Sequence, residues 1–230
     1  MDDFWSSLKE TANKNKEQVA EVVCGTLSLS EIAEITKQLP VIEWVAKTYG
    51  VITAFQSVFF HKKLLRFIKN TTDENVDLKE VYSVISQMQN KSYDDGLAVF
   101  FKVIDEVYTM QQVDIISNLA IAYNNKDITE IDFVRLVSIA RRCITHDLNA
   151  LRSFDSKKYI EGVAESLNSL GLISIVDHDG NKNPLYQMNH TGYKMLRWGI
   201  GDYTAEFKSI VYNIGKIPKY IEETGTLQLG

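Results

Sequence analysis

Cys143, His146 and Asp147 bring a thiol, an imidazole and a carboxylate within about one turn of a predicted helix, half of a metal-ligand set or the start of a nucleophile–base pair. No CxxC or HExxH completes them, and Cys143 falls beside the apolar stripe of Leu136 and Ala140, which favours a packed thiol. His178, flanked by Asp177 and Asp179, has the types for proton transfer, yet Asp-His-Asp-Gly-Asn at 177–181 is also an ordinary solvated turn. His190 stands just before a helix start at Thr191, and His61 continues a polar helix stripe. Phosphate cradles are missing: glycines 171, 180, 192, 199 and 201 form neither GxxxxGK[ST] nor GxGxxG. The link Asn124–Thr129 resembles an EF-hand loop only in lying between helices, because the Dx[DN]x[DN]G order and the closing Glu are absent. These groups point to a chain that is not an enzyme and holds no cofactor, catalytic residue or metal ligand.

The cations offer a different chemistry. Lys62, Lys63, Arg66 and Lys69 close an apolar helix and are candidates for contact with a membrane surface or a protein partner. Lys157, Lys158 and Lys182 lie in a C-terminal module where they are candidates for nucleic-acid contact. The pair Arg141-Arg142, with Arg135 and Arg152, shares its helix with Glu130, Asp132 and Asp147, as a solvated, salt-bridged face would. A net charge of −5 and a pI near 5.5 argue against a protein dedicated to gripping phosphates. Two cysteines without a spacing motif, Cys24 and Cys143, suit a reducing compartment, and MDDFWSSLKE has neither the basic nor the apolar region of a secretory signal.

The elements that must carry these groups are mainly helices. Prolines occur only at 40, 184 and 218, and Pro40 opens the longest apolar stretch, 40–69. As one helix it would be about 45 Å long. Val41–Phe60 is apolar around most of its circumference, with Glu43, Lys47, Gly50, Ala54, Ser57 and His61 as a narrow polar stripe, so Trp44, Phe55 and Phe59 are expected to be sheltered. Only Tyr49–Phe60 is free of charge, short of the ~20 residues of a membrane span. Residues 1–39 read as peripheral helices covering it. After a polar connector at 70–76, Asp77 caps Leu78–Gln89, and Ser92 caps Tyr93–Tyr108 with Leu97, Phe100, Phe101, Ile104 and Tyr108 as its core face. Gln112–Tyr123 and a long helix Glu130–Phe154, with Ile144 on its apolar face, complete a bundle.

From residue 153 the pattern changes. A helix over Lys157–Leu170 stops at Gly171, a strand at 172–176 turns through Asp179-Gly180 into a second strand at 185–188, and a helix follows from Thr191. Helix, two-stranded wing and closing helix are the end of a winged-helix module. A helix is also predicted over Tyr203–Tyr212. The organisation expected is thus 1–39 peripheral helices, 40–152 a bundle around the central helix 40–69, 153–200 the winged-helix-like module, and 201–230 a helix and irregular tail. The class is mainly α.

The stretches LPVIEWVAKTYGVITAFQSVFFHKKLLRFIKN, ISNLAIAYNNKDITEIDFVRLVSIARRCITHDLNALRSF, LNSLGLI and YQMNHTGYKMLRWG, spread over 29–200, resemble the abortive-infection alpha family of bacterial phage-defence proteins. Lys126-Asp127 stands where a glycine-containing link is commoner, and no catalytic residue is carried over. The resemblance implies a bacterial antiviral-defence or prophage-borne factor, non-enzymatic, acting through protein or membrane contacts. It would be cytoplasmic or peripheral at the inner membrane, with a protein partner of unknown identity or a second copy of the chain. Two alternatives stand beside it: a winged-helix DNA-binding transcriptional regulator, less favoured because the presumed recognition helix carries Glu161 and Glu165 and no arginine, and a membrane-perturbing effector whose central helix is released on activation.

Overall fold

The computed structural model describes Glu10 and residues 58–87, 93–153, 162–179, 183–202, 208–211 and 219–222. Apart from Glu10, the peripheral helices at 1–39 lie outside the residues so described, as do the central-helix segment 40–57 with Trp44 and Phe55, the cap at Ser92, and Lys157, Lys158 and Lys182. The fold is mainly helical, and the chain divides into two compact units, Met1–Val134 and Arg135–Gly230.

In the first unit, α1 (Val58–Asp73) packs against α3 (Tyr93–Glu106) and α4 (Met110–Asn124), and α2 (Leu78–Gln87) lies against the same two helices. Phe60, Leu64, Leu65, Phe67 and Ile68 are buried, so α1 is amphipathic through its described length. Phe59 departs from expectation: it is 47% exposed, with the Lys63 ammonium 5.2 Å from its ring centre. The helix also outruns its predicted end at 69. Thr71, fully buried, returns its hydroxyl to the carbonyls of Phe67 and Ile68, and Asn70 donates to Asp114, so the polar residues after Lys69 find partners without leaving the helix. Asn75 at φ 54° and the bond from Val76 N–H to Thr71 O then close it. Asp77 caps α2 as expected, its Oδ1 accepting from the Lys79 N–H.

The third helix ends at Glu106, and Tyr108, predicted as core, is 82% exposed. A capping box at the next helix cuts it short: Thr109 Oγ1 accepts from Gln112 N–H at 3.2 Å, while Gln112 Oε1 accepts from the N–H of Thr109 and of Tyr108 at 3.0 and 2.8 Å. Ile115, Ile116, Leu119 and Tyr123 of α4 are buried, as their spacing predicts.

The predicted long helix from 130 is broken into α5 (Glu130–Arg142) and α6 (Thr145–Ala150), followed by a 3₁₀ turn at Leu151–Ser153. Ile144 adopts extended φ/ψ of −78°/125° at the break and is 65% exposed, against expectation. Cys143, Ile144 and Thr145 are consecutive residues of weak helix propensity, and the break lets Leu148 and Leu151 reach buried positions.

In the second unit, α7 (Val163–Ser169) ends at Gly171 with φ 72°, and β1 (Ile173–His178) pairs antiparallel with β2 (Pro184–Met188). The register slips between Ile175 and Asp177. Next comes α8 (His190–Lys194), which continues as a π-helical turn over Met195–Gly199. Asn189 ties these parts together. Its Oδ1 caps the Gly192 N–H, its amide donates to Gly171 O and Ser174 Oγ, and its own N–H donates to Leu172 O. Within the helix predicted over 203–212, Lys208–Val211 form a strand, β3, antiparallel to β4 (Lys219–Glu222) with Ser209 opposite Ile221 and Ile210 opposite Tyr220; the rest of that stretch lies outside the described residues. Ile210 and Val211 are β-branched, and pairing with the nearby strand at 219–222 outweighs a local helical pattern there.

Candidate interaction surfaces

The cations of α1 are drawn into the first unit. Lys63 is only 2% exposed, and its ammonium donates to the carbonyls of Asp105 and Val107 at 2.5 and 3.0 Å, capping the end of α3. Burial holds its pKa below the usual lysine value, with Asp105 pulling the other way. Lys63 is therefore not a surface contact. Arg66 makes a two-pronged pair with Asp114, Nε to Oδ1 at 2.6 Å and Nη2 to Oδ2 at 2.7 Å, and Lys69 reaches Asp73 at 3.5 Å. Of the four predicted contact residues, Lys63 and Arg66 are taken up between α1 and its neighbours, Lys69 pairs along its own helix, and Lys62 is half-exposed. No helix among the described residues is long and apolar enough to cross a membrane.

The candidate chemical clusters do not assemble. Cys143 is buried with its thiol donating to Ala140 O, His146 is exposed, and Asp147 is buried. In the hairpin, Asp177 accepts from the His178 N–H, and Asp179 accepts from both the N–H and the amide of Asn183, so these carboxylates shape the turn. Among the described residues, no group of three or more His, Cys, Asp or Glu could hold a metal ion. Arg141, half-buried, has its pKa lowered by burial and then by Arg142, whose Nε donates back to Ser138 O.

One polar cluster joins α2 to the turn after α4. Glu80 accepts from Tyr123 Oη at 3.1 Å and from Lys126 Nζ at 2.6 Å, and the Lys126 ammonium lies 5.0 Å from the Tyr123 ring centre. Burial and then the Glu80 contact push the Tyr123 phenol up to about 12 from an ordinary 10.0. A folded-state pKa raised in this way contributes stability that is intact below pH ~10 and is lost as pH rises toward ~12. Tyr123→Phe is expected to flatten that part of the stability curve, measured by urea unfolding between pH 9 and about 12 against the wild-type chain; an unchanged slope would place the alkaline sensitivity elsewhere.

Among the described residues of the second unit, two stretches present exposed or half-exposed side chains together. On β1, Ile175 and Val176 are 47% and 39% exposed side by side, where the irregular register interrupts the strand's alternation. On α8 and the π-helical turn that continues it, His190 is exposed and Tyr193, Lys194, Arg197 and Trp198 are half-exposed, while Gly192, Met195, Leu196 and Gly199 are buried. Sequence reasoning missed this second surface, although its spacing of i, i+3, i+4, i+7 and i+8 stands in the sequence. Averaging charge over 151–200 dilutes a helix that carries Lys194 and Arg197 and no carboxylate. No protein-family model, curated protein or solved structure matches this chain.

Proposed function

We propose that the chain is a non-enzymatic interaction protein that binds a protein partner through the β1–β2 hairpin, in the bacterial phage-defence setting that its resemblance implies. The observation that carries this reading is the exposed Ile175–Val176 pair. Two adjacent β-branched side chains turned outward at a strand irregularity form a small apolar contact, rimmed by the polar Asp177 and His178. The order α7, hairpin, α8 supports a winged-helix reading of the module, with the wing used for protein contact. Against use on duplex DNA, α7 has Glu165 as its one charged residue, and β1 contributes Asp177.

A photo-crosslinking residue in place of Ile175 is expected to give one discrete adduct in bacterial cells, and none in place of exposed Lys79. The protein found in that adduct, once purified, is expected to lose about tenfold or more in affinity for Val176→Asp. Absence of an adduct, or duplex binding at low salt that Val176→Asp abolishes, would overturn the reading.

A further inference from the structure

Arg135 and Arg142 of α5 are both exposed, and their i, i+7 spacing puts them on one side of the helix, about 10.5 Å apart along its axis, with half-exposed Ser138 between them. The sequence suggests a salt-bridged face here, but the acids go elsewhere. Glu130 and Asp132 both lie in the first turn, and Asp132 Oδ2 accepts from the Thr129 N–H and hydroxyl at 3.3 and 2.7 Å. Glu130, five residues before Arg135, stands on another side of the helix. Asp147 is buried on α6, beyond the break. Neither Arg135 nor Arg142 makes an ion pair with any described residue. A cation in the last turn complements the helix macrodipole, which accounts for Arg142 but not for Arg135 in mid-helix. Arg142 Nε donates to Ser138 O at 3.1 Å, which orders the guanidinium beforehand and leaves its two terminal amino groups for another acceptor. Half-buried Arg141 has its pKa lowered by burial and then by Arg142, so the field of this end of the helix is positive.

We propose that this face of α5 binds an acidic helical segment of a protein partner, one whose carboxylates recur at every seventh residue. Such a segment has the same rise per residue, so when laid alongside α5 it sets two carboxylates at the spacing of Arg135 and Arg142. A guanidinium takes both oxygens of a carboxylate at once, Arg142 through its two amino groups because Nε is engaged. Ile144, two residues past Arg142, is 65% exposed and offers an apolar contact beside the cations. A nucleic-acid backbone satisfies the arginines and gives Ile144 nothing apolar to meet. A lipid surface has no fixed spacing for the pair to match. Exposed ion pairs are individually weak, so matched spacing rather than charge alone must supply selectivity. This surface does not depend on the β1–β2 hairpin contact.

The test is anisotropy of a labelled alanine-rich helical peptide with glutamate at every seventh position, titrated with the full chain at ~50 mM salt. The comparators are a peptide of the same composition with its glutamates moved to different sides of the helix, a short DNA duplex, and phosphatidylglycerol vesicles. The in-register peptide is expected to bind at least about fivefold more tightly than the rearranged one, and more tightly than the duplex or the vesicles. Arg135→Gln and Arg142→Gln should each weaken it about threefold, and the two together about tenfold. Reversing both charges, Arg135→Glu with Arg142→Glu, should transfer binding to the same peptide carrying lysine in place of glutamate, an exchange that a merely structural role would not produce. Val176→Asp should leave peptide binding unchanged, so that failure of this site and failure of the hairpin reading are told apart. Equal affinity for the two glutamate peptides, tighter binding of duplex or vesicles, or full affinity in the double glutamine variant with an unaltered unfolding midpoint would overturn the proposal.

Discussion

Replacing Gly192 with alanine is expected to destabilise the C-terminal unit by about 3 kcal/mol or more. A methyl group at this position would stand 2.1 Å from the carbonyl oxygen of Leu172 and 2.9 Å from Met188 Cγ. The methionine can move. The Leu172 carbonyl cannot move cheaply, because it accepts from the Asn189 N–H at 3.2 Å, within the cluster in which Asn189 also holds Gly171 O and caps Gly192. Relieving the clash means separating the start of α8 from the turn that leads into β1, breaking several of those bonds together. The effect should be read by thermal unfolding, where a loss of this size corresponds to a fall of roughly 6–12 °C for a chain of this length. Gly171→Ala is the control. There the obstacle is only φ 72°, with open space around the added carbon, and the expected cost is about 1 kcal/mol. Equal midpoints for the two variants would show that the close approach at Gly192 is not what joins helix and hairpin.

The parts of this architecture that could be read from the sequence are those set by neighbours three or four residues apart. The buried faces of α1, α2 and α4, the Asp77 cap, the stop at Gly171 and the hairpin after it all follow from local periodicity and turn chemistry. Tyr108 and Ile144 fail for a shared reason: each continues an apolar spacing past the point where the helix stops. At Tyr108 the stopping signal, Thr109-x-x-Gln112, is present in the sequence as a capping box. Nothing local signals the fate of Lys63. Its position in an amphipathic pattern marks it as a surface cation, and only the packing of α1 against the end of α3 gives it two carbonyls to satisfy. The 208–211 strand is hidden for the same kind of reason, since its partner at 219–222 is supplied by pairing rather than by periodicity.

The candidate surfaces divide along the same line. Cations alone direct attention to Lys62, Lys63, Arg66 and Lys69, of which the structure ties the last three into bonds within the first unit. The α8 face needs two facts at once, the lack of acids from 180 to 201 and the inward turn of Met195 and Leu196, and the second comes from packing. Exposure of Ile175 and Val176 depends on an irregular register that no residue type announces.

Phe100→Ala is expected to remove about 3–5 kcal/mol, a large part of the ~5–15 kcal/mol that holds a domain of ordinary size folded. Phe100 is 1% exposed and sits at the centre of a chain of rings: edge-on to Phe67 at 5.1 Å, and tilted against Phe101 at 5.8 Å, which in turn meets Phe60 edge-on at 6.1 Å. Alanine there leaves a void between α1 and α3 and breaks two ring contacts, each worth about 0.5–1.5 kcal/mol beyond simple burial. Phe100→Leu keeps most of the volume and should cost about 1.5 kcal/mol. Urea unfolding distinguishes the cases, with the midpoint falling and the slope unchanged if the two variants differ only in packing. The ordering carries a consequence for α1. If alanine costs little more than leucine, the aromatic seam is not what holds this helix against α3, and the Lys63 and Arg66 bonds must do so. If the gap is as large as expected, α1 is anchored by buried rings, and releasing it to any other surface would require separating Phe60 and Phe67 from Phe100 and Phe101.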